Sequence, residues 1–473
     1  MSRTRTIWIP LPDQDRFSEE QLRLCALDLV INRHYNDYAL FFRTKHEDEG
    51  PAIIRAFRQA LSATLGQCRH IAGTIQKNEH GDFSIITRSD STVPLVLAWL
   101  DTNDQISSFD LLEDGSFHGA SLGDPSRFTV PTMSMSSNAS PSIQPHVAGF
   151  QLTFIRGGFI MTTCIHHFAM DVVGASSLIH HIAAHCHSVL HGTTPPTWHK
   201  SLVDRSRFIP RSLPDTMQER YPSAPANLEW KPCVSLLFSI SRIKLAELKR
   251  LALPPTSAGT WISTYDAICA LLWRIVLRHR MKIYRTDPAS TAIFAESINM
   301  RQRVQPAMDK RYQGNLQCGA LSTQQPHQYT VEQVTSKAPL HELAAYIRKI
   351  TNSATESAVE ATISRVSAVR DRSNLYFRQD TMPPTSLVVT DWRDVDMANA
   401  DFGFGRPVAV RQLADKVVRN LVIIYPRRPW GKNGQDHGLE VVVPFEKHAV
   451  DILVDDPEMS RFFAFRGIDA QET

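Results

Sequence analysis

The sequence lacks the features that would place it in several special classes. It has no window of about 18 apolar residues, so no segment is expected to cross a membrane. The apolar stretch that follows Met1 is too short for a signal peptide. There is no run of Lys or Arg, no aromatic RNA-binding box and no zinc-finger spacing, and the net charge is only +3. These absences argue against nucleic acid as a partner.

Cysteines are few and unpatterned. The 473 residues contain seven of them, an odd number, and no two form a CxxC pair. Small secreted domains use even sets of cysteines at regular spacings, whereas scattered thiols are typical of reducing compartments. We therefore expect reduced thiols and a cytoplasmic location.

The common catalytic signatures are also missing. There is no GxSxG nucleophile elbow, no phosphate loop and no dinucleotide-binding fingerprint. Residues 401–403 read Asp-Phe-Gly as in a protein kinase, but the kinase Gly-rich loop and catalytic loop are absent. Five histidines crowd residues 180–191 without a neighbouring HExxH motif. A bound metal is therefore not expected.

Composition and length indicate a large folded protein. The hydrophobic share is 42% and the charged share 21%, which is ordinary for a globular chain, and the length suggests two or three domains. Residues 191–232 hold seven prolines and few periodic apolar positions. They are predicted to be a long crossover between an N-terminal half, 1–190, and a C-terminal half, 233–473.

Strand and helix patterns are mixed without strict βαβ alternation. This favours a mixed α/β fold and argues against a Rossmann fold or a TIM barrel. The patterns predict a helix over 18–34, a second helix from Pro51, a hairpin over 147–165 and a final helix over about 445–454.

The most informative stretch runs from His166 to Asp171. A β-branched, apolar run precedes it and predicts a strand, and a helical pattern follows it. Histidine is the side chain best matched to proton transfer near neutral pH. We hypothesise that His167 is a general base and that Asp171 holds the turn that presents it. The alternative is a plain strand end followed by a helix-capping Asp.

Two motifs together resemble those of the BAHD acyltransferases. Residues 166–171 match the family's HHxxxD, and residues 401–405 read DFGFG where the family has DFGWG. The resemblance is closer to the fungal secondary-metabolite branch, the trichothecene O-acetyltransferase-like proteins. Smaller patches that agree are Asp204–Ser206, Ser263–Ala267, Asn299–Arg301, Tyr312–Asn315 and Thr390–Trp392.

The resemblance implies both a fold and an activity. The fold would be two chloramphenicol-acetyltransferase-like halves with mixed β-sheets, joined by the crossover and separated by a channel. The activity would be acyl-CoA-dependent O-acylation of a lipophilic secondary-metabolite hydroxyl, with His167 as general base and no covalent enzyme intermediate. Acetyl-CoA or another acyl-CoA would be a co-substrate. No permanent cofactor, no metal and a monomeric state are implied.

The resemblance also implies roles for the other motif residues. Asp171 would pair with Arg301 behind His167, and Thr390 and Trp392 would line the substrate site. The DFGFG residues Asp401, Gly403 and Gly405 would be structural and lie away from the channel.

The chain departs from the family pattern at three positions. Val172 replaces the Gly that follows the motif Asp, Phe404 replaces the Trp of DFGWG, and Asp391 replaces the Ser of T-S-W. Because none of these removes the base, activity is still expected. Three alternatives remain: a free-standing condensation-type domain that uses a carrier-protein thioester, a catalytically silent binding protein on the same fold, and a His-rich metal-binding protein.

Overall fold

The structure is a computed structural model that describes residues 3–12, 18–79, 82–101, 106–211, 218–220, 230–255, 261–372, 375, 377, 379–428 and 438–472. The strands are β1 (Arg3–Pro10), β2 (Glu19–Arg23), β3 (Tyr35–Arg43), β4 (Thr74–Lys77), β5 (Phe83–Arg88), β6 (Thr92–Trp99), β7 (Ala148–Ile155), β8 (Gly158–His166), β9 (Gln218–Arg220), β10 (Cys233–Ile240), β11 (Ile293–Asn299), β12 (Gln317–Leu321), β13 (Val369–Asp371), β14 (Ser386–Asp391), β15 (Ala409–Gln412), β16 (Leu421–Ile424), β17 (Leu439–Glu446) and β18 (Ala464–Gln471). The helices are α1 (Ala26–Leu29), α2 (Gly50–Gln67), α3 (Phe109–Asp114), α4 (Val172–His191), α5 (Arg242–Leu251), α6 (Thr264–Ile283), α7 (Leu340–Ser353), α8 (Glu356–Ser367), α9 (Val450–Val454) and α10 (Pro457–Phe462).

The first large sheet has six strands in the order β1-β6-β7-β8-β3-β15. β6 and β7 run parallel, and the other neighbours are antiparallel. Every residue of β7 and β8 is buried. Strands buried on both faces need continuous apolar runs, which is why the sequence before His166 is β-branched and apolar. Because β7 and β8 are consecutive and pair antiparallel, the predicted hairpin over 147–165 is confirmed.

The second large sheet has seven strands in the order β12-β11-β14-β16-β17-β10-β18. β14 runs parallel to both β11 and β16, and the outer pairs are antiparallel. The helix α6 has 13 of its 20 residues buried and begins with a capping box between Ser263 and Asp266. The mixed α/β prediction is confirmed.

The two halves share a strand. β15 belongs to the C-terminal half of the chain but pairs with β3 at the edge of the first sheet. The Arg411 side chain extends from β15 toward the second sheet, where it forms a buried ion pair with Glu440 on β17 at 2.8 Å. The division into 1–190, 191–232 and 233–473 remains a prediction. Part of that crossover, residues 212–217 and 221–229, lies outside the described residues.

One predicted helix is wrong, and another begins later than predicted. In place of one helix over 18–34, Glu19–Arg23 pairs with β5 as a strand and only Ala26–Leu29 is helical. The helix predicted over about 445–454 is confirmed at its C-terminal end by α9, but Phe445 lies in β17 and pairs with Val234. In both places sheet pairing overrides local propensity. The prediction also missed α10 and β18.

Two global features complete the description. Within the described segments no helix is both long enough and apolar enough to cross a membrane. All seven cysteines are buried and free.

Candidate active site

The turn between β8 and α4 carries the HHxxxD motif. His166 is the last residue of β8, and its fully buried ring bonds on both sides. The Nδ1 atom accepts the Phe168 N–H at 3.1 Å, and Nε2 donates to the Ala139 carbonyl at 2.8 Å. No role is predicted for His166 from the sequence, and the structure shows that this side chain fixes the turn.

Asp171 closes the turn and begins the helix. Its backbone is extended, and its Oδ1 accepts the Gly174 N–H at 2.8 Å, so it is the N-cap of α4. The same carboxylate accepts both terminal nitrogens of Arg301, at 2.8 and 2.9 Å, and the Leu316 N–H at 3.0 Å. The two interpretations of Asp171, helix cap and Arg partner, therefore both hold.

Other donors of Arg301 bind the loop of residues 312–316, which also supplies the Leu316 N–H. Its guanidinium donates to the carbonyls of Tyr312 and Gly314 at 2.8 and 2.9 Å. This loop approaches α4 so closely that a Cβ on Gly174 would lie 2.6 Å from the Gln313 carbonyl oxygen. The family's glycine is absent at position 172, but Gly174 lies where the close contact with Gln313 requires a residue without a Cβ.

A second buried cluster, which the sequence did not indicate, binds backbone carbonyls of the same turn. Asn315 Nδ2 donates to the His167 carbonyl and to Asp28 Oδ1, both at 2.9 Å. Arg205 donates to Asp28 Oδ2 at 2.9 Å and to the Ala169 carbonyl at 2.5 Å. Asp28 is fully buried. An acidic residue between two leucines in an apolar run was the available signal, because a buried carboxylate needs a partner.

His167 is therefore held at the junction of the two halves by its backbone. Its N–H donates to the His34 carbonyl at 2.9 Å, while its carbonyl accepts from Asn315. Its ring is half-buried, and Nδ1 is buried outside hydrogen-bond geometry of any described group. Burial lowers the pKa of His167, and the nearby carbonyls of His167 and Met170 and the Asp171 carboxylate oppose that shift.

Thr390 and Trp392 lie at the end of β14, on the opposite sheet. The Trp392 indole donates to Thr390 Oγ1 at 3.1 Å, and its ring contacts Tyr38 with centroids 5.6 Å apart. Asp391 points elsewhere and forms a bidentate ion pair with Arg393, with nitrogen–oxygen distances of 2.6 to 3.0 Å. The Asp that replaces Ser in T-S-W is thus neutralised by its own neighbour.

The DFGFG segment lies far from the turn. Asp401 accepts the Gly403 N–H at 2.9 Å and faces Arg406 at 3.5 Å. Gly403 and Gly405 have φ of +82° and +149°, values that require glycine. Gly403 packs against His187 and His191 at the C-terminal end of α4, a helix of 20 residues. At 1.5 Å per residue this end is about 30 Å from Asp171.

The histidine-rich helix α4 uses its imidazoles as hydrogen-bond partners. His181 and His185 both contact Gln67 Oε1, at 2.6 and 3.2 Å. Within the described residues no group of three or more His, Cys, Asp or Glu side chains is arranged to hold a metal ion. The structure thus brings Asp171 and Arg301 together next to His167, places Trp392 against Tyr38 with Thr390 bonded to its indole, and leaves the DFGFG glycines apart.

Comparison with known proteins assigns the family. The chain matches the model of the Transferase family over residues 6–460. It is 37% identical over 472 residues to "Acetyltransferase FGR3" of Gibberella zeae, covering 97% of this chain and 93% of that protein. It is 24% identical over 485 residues to "Acyltransferase easC" of Emericella nidulans, covering 96% of this chain and 97% of that protein.

Solved structures agree on the fold. The structure of F. graminearum TRI101 complexed with coenzyme A and deoxynivalenol superposes with a TM-score of 0.79 at 20% identity, covering 95% of this chain and 100% of that one. Vinorine synthase superposes with a TM-score of 0.66 at 17% identity, covering 98% of this chain and 97% of that one. The chain therefore belongs to the Transferase family of BAHD-type acyltransferases and is an acyltransferase.

Proposed function

We propose that the protein is an acyl-CoA-dependent O-acyltransferase that moves an acetyl group from acetyl-CoA to a hydroxyl of a lipophilic secondary metabolite. The names of its relatives support this, since they include acetyltransferases, and the F. graminearum TRI101 structure holds coenzyme A and deoxynivalenol. The observation that carries the proposal is the position of His167. Its half-buried ring lies at the junction of the halves, on a turn fixed by two buried ion pairs.

His167 acts as the general base. Burial lowers its pKa below the ordinary value of 6.5, so the ring is neutral and able to take a proton at neutral pH. Because Nδ1 is buried, Nε2 is the nitrogen that meets the acceptor hydroxyl. A histidine base needs only reach and orientation here, since a thioester is already an activated acyl donor.

The reaction proceeds by direct transfer. Nε2 of His167 takes the hydroxyl proton as the acceptor oxygen attacks the thioester carbonyl, which forms the new C–O bond and a tetrahedral oxyanion. The oxyanion collapses, the C–S bond breaks, and the departing sulfur takes the proton back from the imidazolium. The ester and free CoA leave, and no bond to the enzyme is formed. Neither a metal nor a permanent cofactor takes part.

The other motif residues support these steps. Asp171 and Arg301 keep the turn rigid, and Thr390 and Trp392 line the wall opposite His167, where their polar atoms meet the acceptor or the oxyanion. Asp401, Gly403 and Gly405 keep the path of the chain that leads to β15. In this proposal the protein works as a cytoplasmic monomer, with donor and acceptor entering a channel between the halves from opposite sides.

The test measures thiol release from acetyl-CoA in the presence of a pool of lipophilic alcohols, followed by the mass of the product. The purified protein is expected to add 42 Da, the mass of an acetyl group less one hydrogen, to one of the alcohols. His167→Ala is expected to lower the rate by at least about 100-fold, the contribution of a general base.

The matched control is His146→Ala. His146 is another half-buried imidazole, but its ring contacts Trp8 at a centroid distance of 5.9 Å. Its loss is expected to leave the rate unchanged. Equal turnover by the His167→Ala variant and the parent would refute the general-base role. Turnover of acyl-pantetheine carrier proteins but not of acetyl-CoA would identify a condensation-type enzyme instead.

A further inference from the structure

A second imidazole lies against His167. The rings of His34 and His167 meet edge to face, with centroids 5.2 Å apart and planes at 79°. This ring contact joins the residue that precedes β3 to the motif turn. The His34 carbonyl also accepts the His167 N–H at 2.9 Å. His34 therefore touches His167 through both its ring and its backbone.

The His34 ring is itself held by a hydrogen-bonded chain. Its Nε2 lies 3.1 Å from Asn36 Oδ1, and the same oxygen accepts from Gln412 Nε2 at 3.2 Å. Gln412 is the last residue of β15, the strand that follows the DFGFG segment, and its N–H donates to the Tyr425 hydroxyl. Asn36 and Gln412 are buried. The chain thus runs from the shared strand β15 to the ring of His167.

This arrangement fixes the protonation of His34. An amide oxygen only accepts hydrogen bonds, so His34 Nε2 must carry the proton and Nδ1 must be bare. The ring is neutral, since burial lowers its pKa well below the usual value and the neighbouring His167 ring and Lys416 lower it further. A neutral ring beside the base adds no repulsion when His167 takes up a proton.

We propose that His34 is a positioning residue for acyl transfer, whose ring, tethered through Asn36 to β15, holds the imidazole of His167 in its reactive orientation. The inference rests on the proposed function. Its physical reason is that Nδ1 of His167 forms no well-aligned hydrogen bond with a described residue, so the contact with His34 restrains the plane of the ring. An edge-to-face contact gives the ring a preferred plane, and misplacement of a reacting group by about 1 Å can cost 100-fold in rate.

A set of three variants separates the ring contact from the tether. His34→Ala removes both, His34→Gln keeps a donor for Asn36 without the ring, and His34→Phe keeps a ring without the donor. We expect His34→Ala and His34→Gln to lower kcat by roughly 10- to 100-fold. His34→Phe is expected to recover part of that loss. KM for acetyl-CoA should stay within about threefold, because positioning acts on the chemical step.

The controls distinguish this role from a folding defect and from failure of the proposed function. His146→Ala should have parental kcat, and thermal melting should report folded protein for each variant. The inference is wrong if His34→Ala turns over within about twofold of the parent, or if kcat falls only in proportion to the folded fraction. It is also wrong if His34→Phe is as slow as His34→Ala. Parental turnover by His167→Ala would overturn the proposed function and this inference together.

Discussion

The carboxylate of Asp171 accepts hydrogen bonds from the two terminal nitrogens of Arg301 at 2.8 and 2.9 Å. The pair is nearly solvent-free, with side-chain exposures of 4% and 1%. It joins the N-terminus of α4 to the loop that follows β11, and so connects the two halves behind the candidate base. Burial by itself raises the pKa of Asp171, but the charge and hydrogen bonds of Arg301 and the N–H groups of Leu316 and Gly174 outweigh it and hold the pKa below its usual value.

Asp171→Ala is therefore expected to lower stability as well as rate. The substitution leaves the Arg301 guanidinium buried without its counter-ion, which costs about 3–5 kcal/mol in comparable pairs. It also removes the N-cap of α4, worth about 1 kcal/mol. Urea unfolding at pH 7 measures the loss of stability, and acetyl-CoA turnover measures the loss of rate.

The control for this variant is an exposed ion pair. Lys337 and Glu332 are 2.7 Å apart with side-chain exposures of 62% and 46%. Because water screens such a pair, Glu332→Ala should change stability by less than about 1 kcal/mol. A rate loss in Asp171→Ala with unchanged unfolding would show that the carboxylate acts in the chemistry and not in the architecture.

The sequence indicated the motif turn and its Arg partner because both depend on local patterns and family motifs. A strand pattern followed by a helix pattern places His167 and Asp171 at a strand–helix turn. Asp28, His34 and Gln412 could not be found in this way. Asp28 lies in α1, His34 just before β3 and Gln412 in β15, and their proximity to the turn arises only from tertiary contacts such as the pairing of β3 with β8 and β15 in one sheet.

The fold class was predictable for a similar reason, whereas the strand at Glu19–Arg23 was not. The buried strands of both sheets carry long apolar runs that need no tertiary information. Glu19–Arg23 lacks such a run and is a strand only because β5 provides hydrogen-bond partners. β15 is four residues long and joins a sheet formed by the other half of the chain, a pairing that no local pattern encodes.

Asp28→Asn is expected to destabilise the protein through Arg205. The two side chains are 0% and 1% exposed, so the neutral amide leaves a buried guanidinium uncompensated. A loss of about 3–5 kcal/mol is expected. Because Arg205 and Asn315 hold the turn carbonyls, the rate should fall too.

A double-mutant cycle tests that assignment by urea unfolding. Arg205→Met removes the other charge, and the Asp28→Asn, Arg205→Met double variant should be more stable than the sum of the single losses predicts, because no charge is then stranded. Additive losses would mean that the two residues act independently.

Gly174→Ala is expected to disturb the contact between α4 and the loop that contains Gln313. The new Cβ would lie 2.6 Å from a carbonyl oxygen and 2.9 Å from its carbon, so backbone must move. Overpacking of this kind costs about 1–3 kcal/mol. Gly319→Ala is the control, since its nearest neighbour would be 3.6 Å away. Equal melting temperatures for the two variants would contradict the close approach.

Asp37→Asn is expected to stabilise the protein, and more so as pH rises. Asp37 is fully buried on β3 opposite Cys164, and its two oxygens form no well-aligned hydrogen bond within the described residues. Burial raises the pKa of this carboxyl well above its usual value, although the nearby Cys164 thiol and Met135 backbone oppose the shift. Above about pH 4 the unfolded chain releases a proton that the native state keeps, so stability falls with rising pH. Melting curves of both proteins at pH 5 and pH 7 should diverge, and a constant difference would exclude an unpaired carboxyl.

His166→Asn tests whether the first histidine of the motif is a neutral structural group. Burial lowers the pKa of His166 to about 4, although its bond to the Ala139 carbonyl raises it. The unfolded chain takes up a proton below about pH 6.5, while the native state does so only near 4, so the stability present above 6.5 is lost as pH falls through this window.

Asn can accept the Phe168 N–H in place of Nδ1 but cannot reach the Ala139 carbonyl. The variant should therefore be less stable than the parent at pH 7. It should also lack the acid sensitivity of the imidazole. The gap between the unfolding free energies of parent and variant should therefore narrow by roughly 2 kcal/mol between pH 7 and pH 5. Urea unfolding at the two pH values measures the gap. A gap that does not change with pH would mean that His166 is solvated or charged in the native state, and its assigned bonds to Phe168 and Ala139 would then be wrong.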